Sequence, residues 1–160
     1  MYYSKFDTPF CEIILVGDED GLTNLHLNTD KGKRQFEISP EWIKKDVFFQ
    51  EQKSQIIEYC YGKRKRFSIK LNPRGTDYQK NVWQTLSAIP YGELRTYGEI
   101  ATAIGNPKAA RAVGMANSKN PLPLIIPCHR VVGTNGKLTG FAHGLNMKEQ
   151  LIDFEQTNAL

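Results

Sequence analysis

Between residues 2 and 27 the chain alternates short apolar runs with turn signals. Glu12-Ile13-Ile14-Leu15-Val16 lies between Asp7-Thr8-Pro9 and Asp18-Glu19-Asp20-Gly21, a pattern that predicts a meander of strands. Ser39-Pro40-Glu41 reads as a helix start, and over residues 47–61 Phe48, Ile56, Ile57 and Cys60 recur at helical spacing. Phe67-Ser68-Ile69-Lys70-Leu71 returns to strict alternation, the mark of an edge strand. The first part of the chain is therefore expected to be a small α+β unit.

Asn72-Pro73-Arg74-Gly75 breaks the pattern and suggests a boundary, with one domain at 1–72 and a second at 73–160. Thr76 then caps a predicted helix through residue 88, whose Val82, Trp83 and Leu86 form one apolar stripe, and Pro90-Tyr91-Gly92 closes it. Two shorter helices follow near 97–104 and 107–117, joined at Gly105-Asn106. A tight joint with glycine in the turn fits a helix-turn-helix. Pro107 suits a first helical turn, and Ala109, Ala110, Ala112, Gly114 and Ala116 leave the second helix almost bare of side-chain bulk. Lys108 and Arg111 would share one face and supply cations for phosphates. Residues 148–155 read as an amphipathic terminal helix.

The stretch Asn120-Pro121-Leu122-Pro123-Leu124-Ile125-Ile126-Pro127-Cys128-His129-Arg130-Val131-Val132-Gly133 stands apart. Its apolar run is too short for a helix and is fenced by prolines, and it delivers a thiol, an imidazole and a fixed cation in succession. Taken alone, a cysteine beside apolar residues is more often an inert core residue than a reactive one. The adjoining positive charge favours a thiolate, which makes Cys128 a candidate nucleophile.

Composition narrows the function classes. The 160 residues are 40% apolar, and no apolar run approaches the ~20 residues of a membrane span. The N-terminus lacks a secretory pattern, and three cysteines without paired spacing suit a reducing, cytoplasmic compartment. The net charge of +4 is concentrated: residues 73–140 carry eight Lys and Arg against three Asp and Glu, whereas residues 1–72 carry twelve against eleven. The excess lies with the motifs, a bias that permits nucleic-acid binding without proving it. Lys63-Arg64-Lys65-Arg66 is a second basic run, best read as a solvated face, with a phosphate contact as the alternative. Cys11, Cys60 and His26 are scattered and predict neither chemistry nor metal.

Pro127-Cys128-His129-Arg130-Val131-Val132-Gly133, with Gly105-Asn106-Pro107-Lys108-Ala109-Ala110-Arg111-Ala112-Val113-Gly114 before it, resembles the signature of the O6-alkylguanine-DNA alkyltransferases, the methylated-DNA–protein-cysteine methyltransferases. The resemblance is strong over residues 75–155 and loose before them. It implies an α+β protein: a small sheet-plus-helix, RNase H-like N-terminal domain, then a mainly helical domain with a winged-helix-like helix-turn-helix. The implied activity is direct DNA repair. The alkyl group of O6-alkylguanine, and less readily of O4-alkylthymine, would pass irreversibly to Cys128 after the nucleotide is flipped out. No cofactor would be needed, and the partner would be double-stranded DNA met by a monomer.

By the same resemblance, His129 acts as base through a water and Glu155 orients it. Tyr97 donates a proton to the leaving guanine and turns the phosphate, Asn120 serves as hinge, and Lys148 is a further active-site residue. Arg111 is the wedge that replaces the flipped base, and Lys108, Ala109, Ala110, Ala112 and Arg130 join it at the DNA. The Val131 carbonyl and the Ala142 N–H read the guanine edge, beside Phe141. His143 stands where relatives carry a smaller residue and is expected to narrow the pocket; Met115 is a further departure. Two rivals remain, a lesion-binding module without transfer and a cysteine hydrolase that ignores DNA.

Overall fold

The continuous apolar run at residues 13–16 becomes the middle of a sheet, where a strand is covered on both faces. In the computed structural model, which describes residues 1–29 and 36–159, β1 (Tyr2–Asp7), β2 (Glu12–Asp18) and β3 (Gly21–Asn28) form the expected antiparallel meander. A two-residue strand, β4 (Ile43–Lys44), adds to β1 in parallel and gives the order β3-β2-β1-β4. The helix start expected at Pro40-Glu41 is instead a turn leading into β4. A 3₁₀ turn, Asp46–Phe49, then runs straight into α1 (Gln50–Cys60), which buries Ile56, Tyr59 and Cys60.

Residues 67–71 do not form the expected edge strand. They lie extended beside the start of β3, held by two backbone bonds in which Leu22 N–H donates to the Lys70 carbonyl and Asn72 N–H to the Leu22 carbonyl. One short bridge satisfies this segment without extending the sheet.

Thr76 caps α2 (Asp77–Ser87) as expected. Its hydroxyl accepts from Gln79 N–H while the Gln79 side chain accepts from Thr76 N–H, so two otherwise orphaned donors are satisfied. Val82, Trp83 and Leu86 are the buried stripe. Next come β5 (Arg95–Thr96), α3 (Tyr97–Ala103), α4 (Ala110–Ser118), β6 (Val131–Val132) and α5 (Leu145–Asn158). Gly105, with φ of +87°, makes the turn between α3 and α4 that other residues would resist. Pro107 and Lys108 lie in that turn and not in the helix: Ala109 N–H bonds back to the Asn106 carbonyl, so α4 begins only at Ala110.

One core joins the two parts of the chain. Leu15, Leu25, Ile56 and Tyr59 from the sheet and α1 share a cluster with Trp83, Leu122, Ile126 and Leu151. Burial of each such side chain stabilises by about 1.5–3 kcal/mol, so the C-terminal helices are anchored on the sheet. Leu25 N–H also donates to the Pro121 carbonyl, tying the proline-rich stretch to β3.

Candidate active site

The proline-rich stretch folds as a tight, largely buried turn. Asn120, itself buried, clamps it from within: its Oδ1 accepts from Leu122 N–H and its Nδ2 donates to the Ile126 carbonyl at 2.8 Å. Leu124 is driven to φ of +78°, a strain of about 1–3 kcal/mol for a branched residue. The Asn120 bonds and the burial of Leu122, Leu124 and Ile126 hold it there. The turn ends in a 3₁₀ segment, Cys128–Arg130, followed directly by β6. Pairing of β6 with β5, Arg95 opposite Val131 and Thr96 opposite Val132, brings Tyr97 at the head of α3 close to this segment.

Cys128 lies in a narrow recess with Asn117, Asn120, Pro123, Gly140 and Phe141. The recess shares Ser118, Gly140, Phe141 and Ala142 with a wider cleft reaching Leu145 and Asn146. Behind it His129 is fully buried, and its Nε2 lies 2.8 Å from Glu155 Oε2. An ionised carboxylate only accepts, so Nε2 carries the proton and donates it. Nδ1, left as an acceptor, has no hydrogen-bond partner among the described residues. Burial lowers the basicity of His129; the Arg130 and Lys148 charges push the same way, and Glu155 opposes them.

Glu155 carries more than the histidine. Arg130 Nε donates to Oε1 at 2.7 Å and its second terminal nitrogen to Oε2 at 2.9 Å. Tyr59 of α1 donates its hydroxyl to Oε2 at 2.5 Å, and Gly92 N–H reaches Oε1 at 3.4 Å. Burial alone would raise the pKa of Glu155, but His129 and Arg130 outweigh it and hold the carboxyl well below the usual range. The site is therefore built around an anion shared by α1, the Gly92 turn, the catalytic turn and α5.

This corrects one expectation. Arg130, expected at the DNA, is buried, bonded twice to Glu155 and once to the Ile89 carbonyl. A guanidinium in the interior needs a carboxylate, and this one has been claimed.

Lys148 is also wholly buried. Its Nζ donates to the Thr139 carbonyl at 3.0 Å and stands over the Tyr97 ring at 5.9 Å. Burial pushes its pKa down to about 8, against the pull of Cys128. Tyr97 donates to the same Thr139 carbonyl at 3.4 Å, and burial keeps its hydroxyl protonated to higher pH than usual. Phe141 is buried and Ala142 half-buried, and both line the recess. Val131 does not line the recess; β5 pairing holds it in the core. His143 touches the recess, but its ring turns toward the sheet, with Nδ1 3.1 Å from the Leu27 carbonyl and the ring centroid 5.4 Å from that of His26. Its bulk is thus largely accommodated against β3.

Helix α4 has two faces with different uses. Arg111, Ala112, Met115 and Lys119 are exposed, Lys108 is exposed in the preceding turn, and Ala109 and Ala110 are half-buried. On the opposite face Asn117 Nδ2 reaches the Cys128 carbonyl at 3.4 Å, and Trp83 Nε1 donates to the Ala116 carbonyl at 2.9 Å. The small-residue surface is therefore fixed to the catalytic turn. Asn117 and Tyr59 were not foreseen: only the packing of α4 and α1 reveals them. Among the described residues, no three His, Cys, Asp or Glu side chains could hold a metal ion, and no helix is long and apolar enough to cross a membrane.

A cysteine in a recess, a buried histidine–carboxylate pair and a helix-turn-helix with a bare basic face are the parts of a DNA-directed cysteine transferase. Residues 77–157 match the family described as 6-O-methylguanine DNA methyltransferase, DNA binding domain, and residues 1–73 match its ribonuclease-like domain. The chain belongs to the 6-O-methylguanine DNA methyltransferase family. It is 53% identical over 155 residues to the methylated-DNA–protein-cysteine methyltransferase of Methanosarcina acetivorans, covering 97% of this chain and 98% of the relative. The Mycobacterium tuberculosis protein of the same name is 42% identical over 160 residues, covering 99% and 94%. The crystal structure of the M. tuberculosis O6-methylguanine methyltransferase superposes with a TM-score of 0.88 at 41% identity, and the same protein in complex with DNA with 0.90; each covers 99% of this chain and 94% of the other.

Proposed function

We infer that this protein repairs O6-alkylguanine in DNA by moving the alkyl group to its own Cys128, once per polypeptide. The observation that carries this reading is the orientation of His129: Glu155 fixes its Nε2–H at 2.8 Å, which leaves Nδ1 an acceptor beside a cysteine in a narrow recess. His129, acting through a water, takes the thiol proton, and the Lys148 charge and the sulfur anion stabilise each other. The sulfur attacks the alkyl carbon, the S–C bond forms as the C–O6 bond breaks, and the electron pair leaves with the guanine. Tyr97, held protonated by its surroundings, donates to that developing anion. The product is a thioether without an acidic proton, so the step is not reversed.

The lesion is buried in the duplex, and extruding it costs a few kcal/mol. Arg111 on the exposed face of α4 fills the gap, and Ala109, Ala110 and Ala112 let the helix backbone come close, with Lys108 at a phosphate. Asn120 is the hinge of the catalytic turn, where its two backbone bonds make it a clamp. The Ala142 N–H, beside Phe141, reads the guanine edge; O4-alkylthymine is the slower substrate. The protein acts as a cytoplasmic monomer without cofactor, with the division between its domains at residues 72 and 73.

Transfer of labelled methyl from alkylated duplex to protein tests the reading. Cys128→Ala should bind DNA and accept no label; label in that variant would overturn the assignment.

A further inference from the structure

The Tyr59 hydroxyl comes from α1, in the part of the chain where the sequence gives no sign of chemistry, yet it donates to Glu155 Oε2 at 2.5 Å. The same oxygen accepts from His129 Nε2 at 2.8 Å. Tyr59 is completely buried, packed against Phe67, Tyr91 and Phe154, so its hydroxyl has little freedom to turn elsewhere. Arg130 donates to Oε2 as well, at 2.9 Å, so three donors on one carboxylate oxygen compete for its electron density. Each weakens the hold of the others.

We propose that Tyr59 is a positioning residue of the alkyl transfer: its hydroxyl fixes the Glu155 carboxylate and draws charge from Oε2, and thereby sets how strongly His129 holds a proton. The proposal rests on the reading of His129 as the base that takes the Cys128 proton. Its consequence is that the N-terminal sheet-and-helix unit contributes directly to the reaction, through a hydrogen bond that crosses from α1 to α5. Without the hydroxyl, Oε2 would turn more of its charge toward His129 Nε2–H, and the imidazolium would be favoured. The base would then be occupied by a proton at a pH where it is now available.

The other charged or titratable groups around this pair are Arg130 on the catalytic turn, Lys148 on α5, Tyr91 before Gly92, and Cys128 itself. All of them are retained when only the Tyr59 ring is altered. Tyr59 stays protonated as a donor, because burial and the neighbouring Glu155 both raise its pKa well above that of free tyrosine.

The test pairs two variants of opposite sign in the full-length protein. Tyr59→Phe removes the donor; 3,5-difluorotyrosine placed at position 59 keeps the shape and strengthens it. Single-turnover methyl transfer from O6-methylguanine duplex is followed against pH, and the His129 ring nitrogens are titrated by NMR. Tyr59→Phe should still take one methyl group, with the acidic limb and the His129 titration both moved up by about one unit, a tenfold change in proton affinity. Difluorotyrosine should move both down. Shifts of one sign in both variants, or rates scaled equally at every pH with the titration unmoved, would overturn the proposal. Should Tyr59→Phe not fold, the difluorotyrosine protein alone decides it by the same criterion. A wild-type protein that accepted no methyl would refute the transfer reading instead, and the NMR titrations would still test the Tyr59–Glu155–His129 coupling.

Discussion

Lys148 and Arg130 are two buried cations with opposite arrangements. Arg130 is neutralised by Glu155 on two sides, whereas Lys148 donates to the Thr139 carbonyl, stands over the Tyr97 ring and feels the nearby cysteine. Lys148→Met should therefore leave DNA affinity unchanged and slow methyl transfer about tenfold or more, equivalent to ~1.4 kcal/mol of lost thiolate stabilisation; stopped-time transfer assays beside binding curves check this. Arg130→Met should leave Glu155 partly uncompensated in the interior and cost about 3–5 kcal/mol of stability, read by urea unfolding. The sequence made Cys128 legible because an apolar run fenced by prolines ends on it. It made Arg130 look like a DNA contact, since nothing local reveals that a carboxylate 25 residues away turns inward to meet it. Tyr59 was illegible for the same reason, being 96 residues from its partner.

Helix α4 couples the outside of the protein to the backbone of the cysteine turn, with Arg111 on one face and Asn117 on the other. If Arg111 is the wedge, Arg111→Ala should slow repair in duplex DNA more than in single strands, where no stack has to be filled; equal losses would count against it. If the exposed cations Lys108 and Arg111 meet phosphates, affinity should fall linearly with the logarithm of salt concentration, with a shallower slope in Lys108→Ala. Filter binding over a salt series measures both. At this scale local signals served well where they involved caps, as at Thr76, and less well where turns compete. Pro107 suggested a helix start, but the Ala109-to-Asn106 bond makes a turn there first. The strands β4, β5 and β6 have two residues each, too short to leave any periodic trace, yet β5–β6 pairing is what sets Tyr97 by the catalytic turn.

Across the whole molecule, a single core fastens the catalytic turn to the sheet, and the Glu155 cluster sits where the two parts meet. That makes acid stability a property of the site. Glu155 has a folded pKa below its unfolded one, so its contribution is complete above about pH 4.3 and is lost as pH falls through the folded value. His129 is likewise depressed by burial: below about pH 6.5 the unfolded chain takes a proton that the native state resists. Both act in one direction, and the melting temperature should decline as pH drops below about 6.5; a melting temperature flat to about pH 4 would contradict this. The meander, α1 and the α2 to α5 succession were readable from periodicity, while the closure of the two parts over one carboxylate was not, because it depends on contacts far apart in the chain. The most direct test of the account is intact-protein mass spectrometry after incubation with O6-methylguanine duplex. One methyl group per chain, located on the peptide carrying Cys128 and not increasing with excess DNA, is the result expected; an unmodified protein, or a methyl group on another residue, would contradict it.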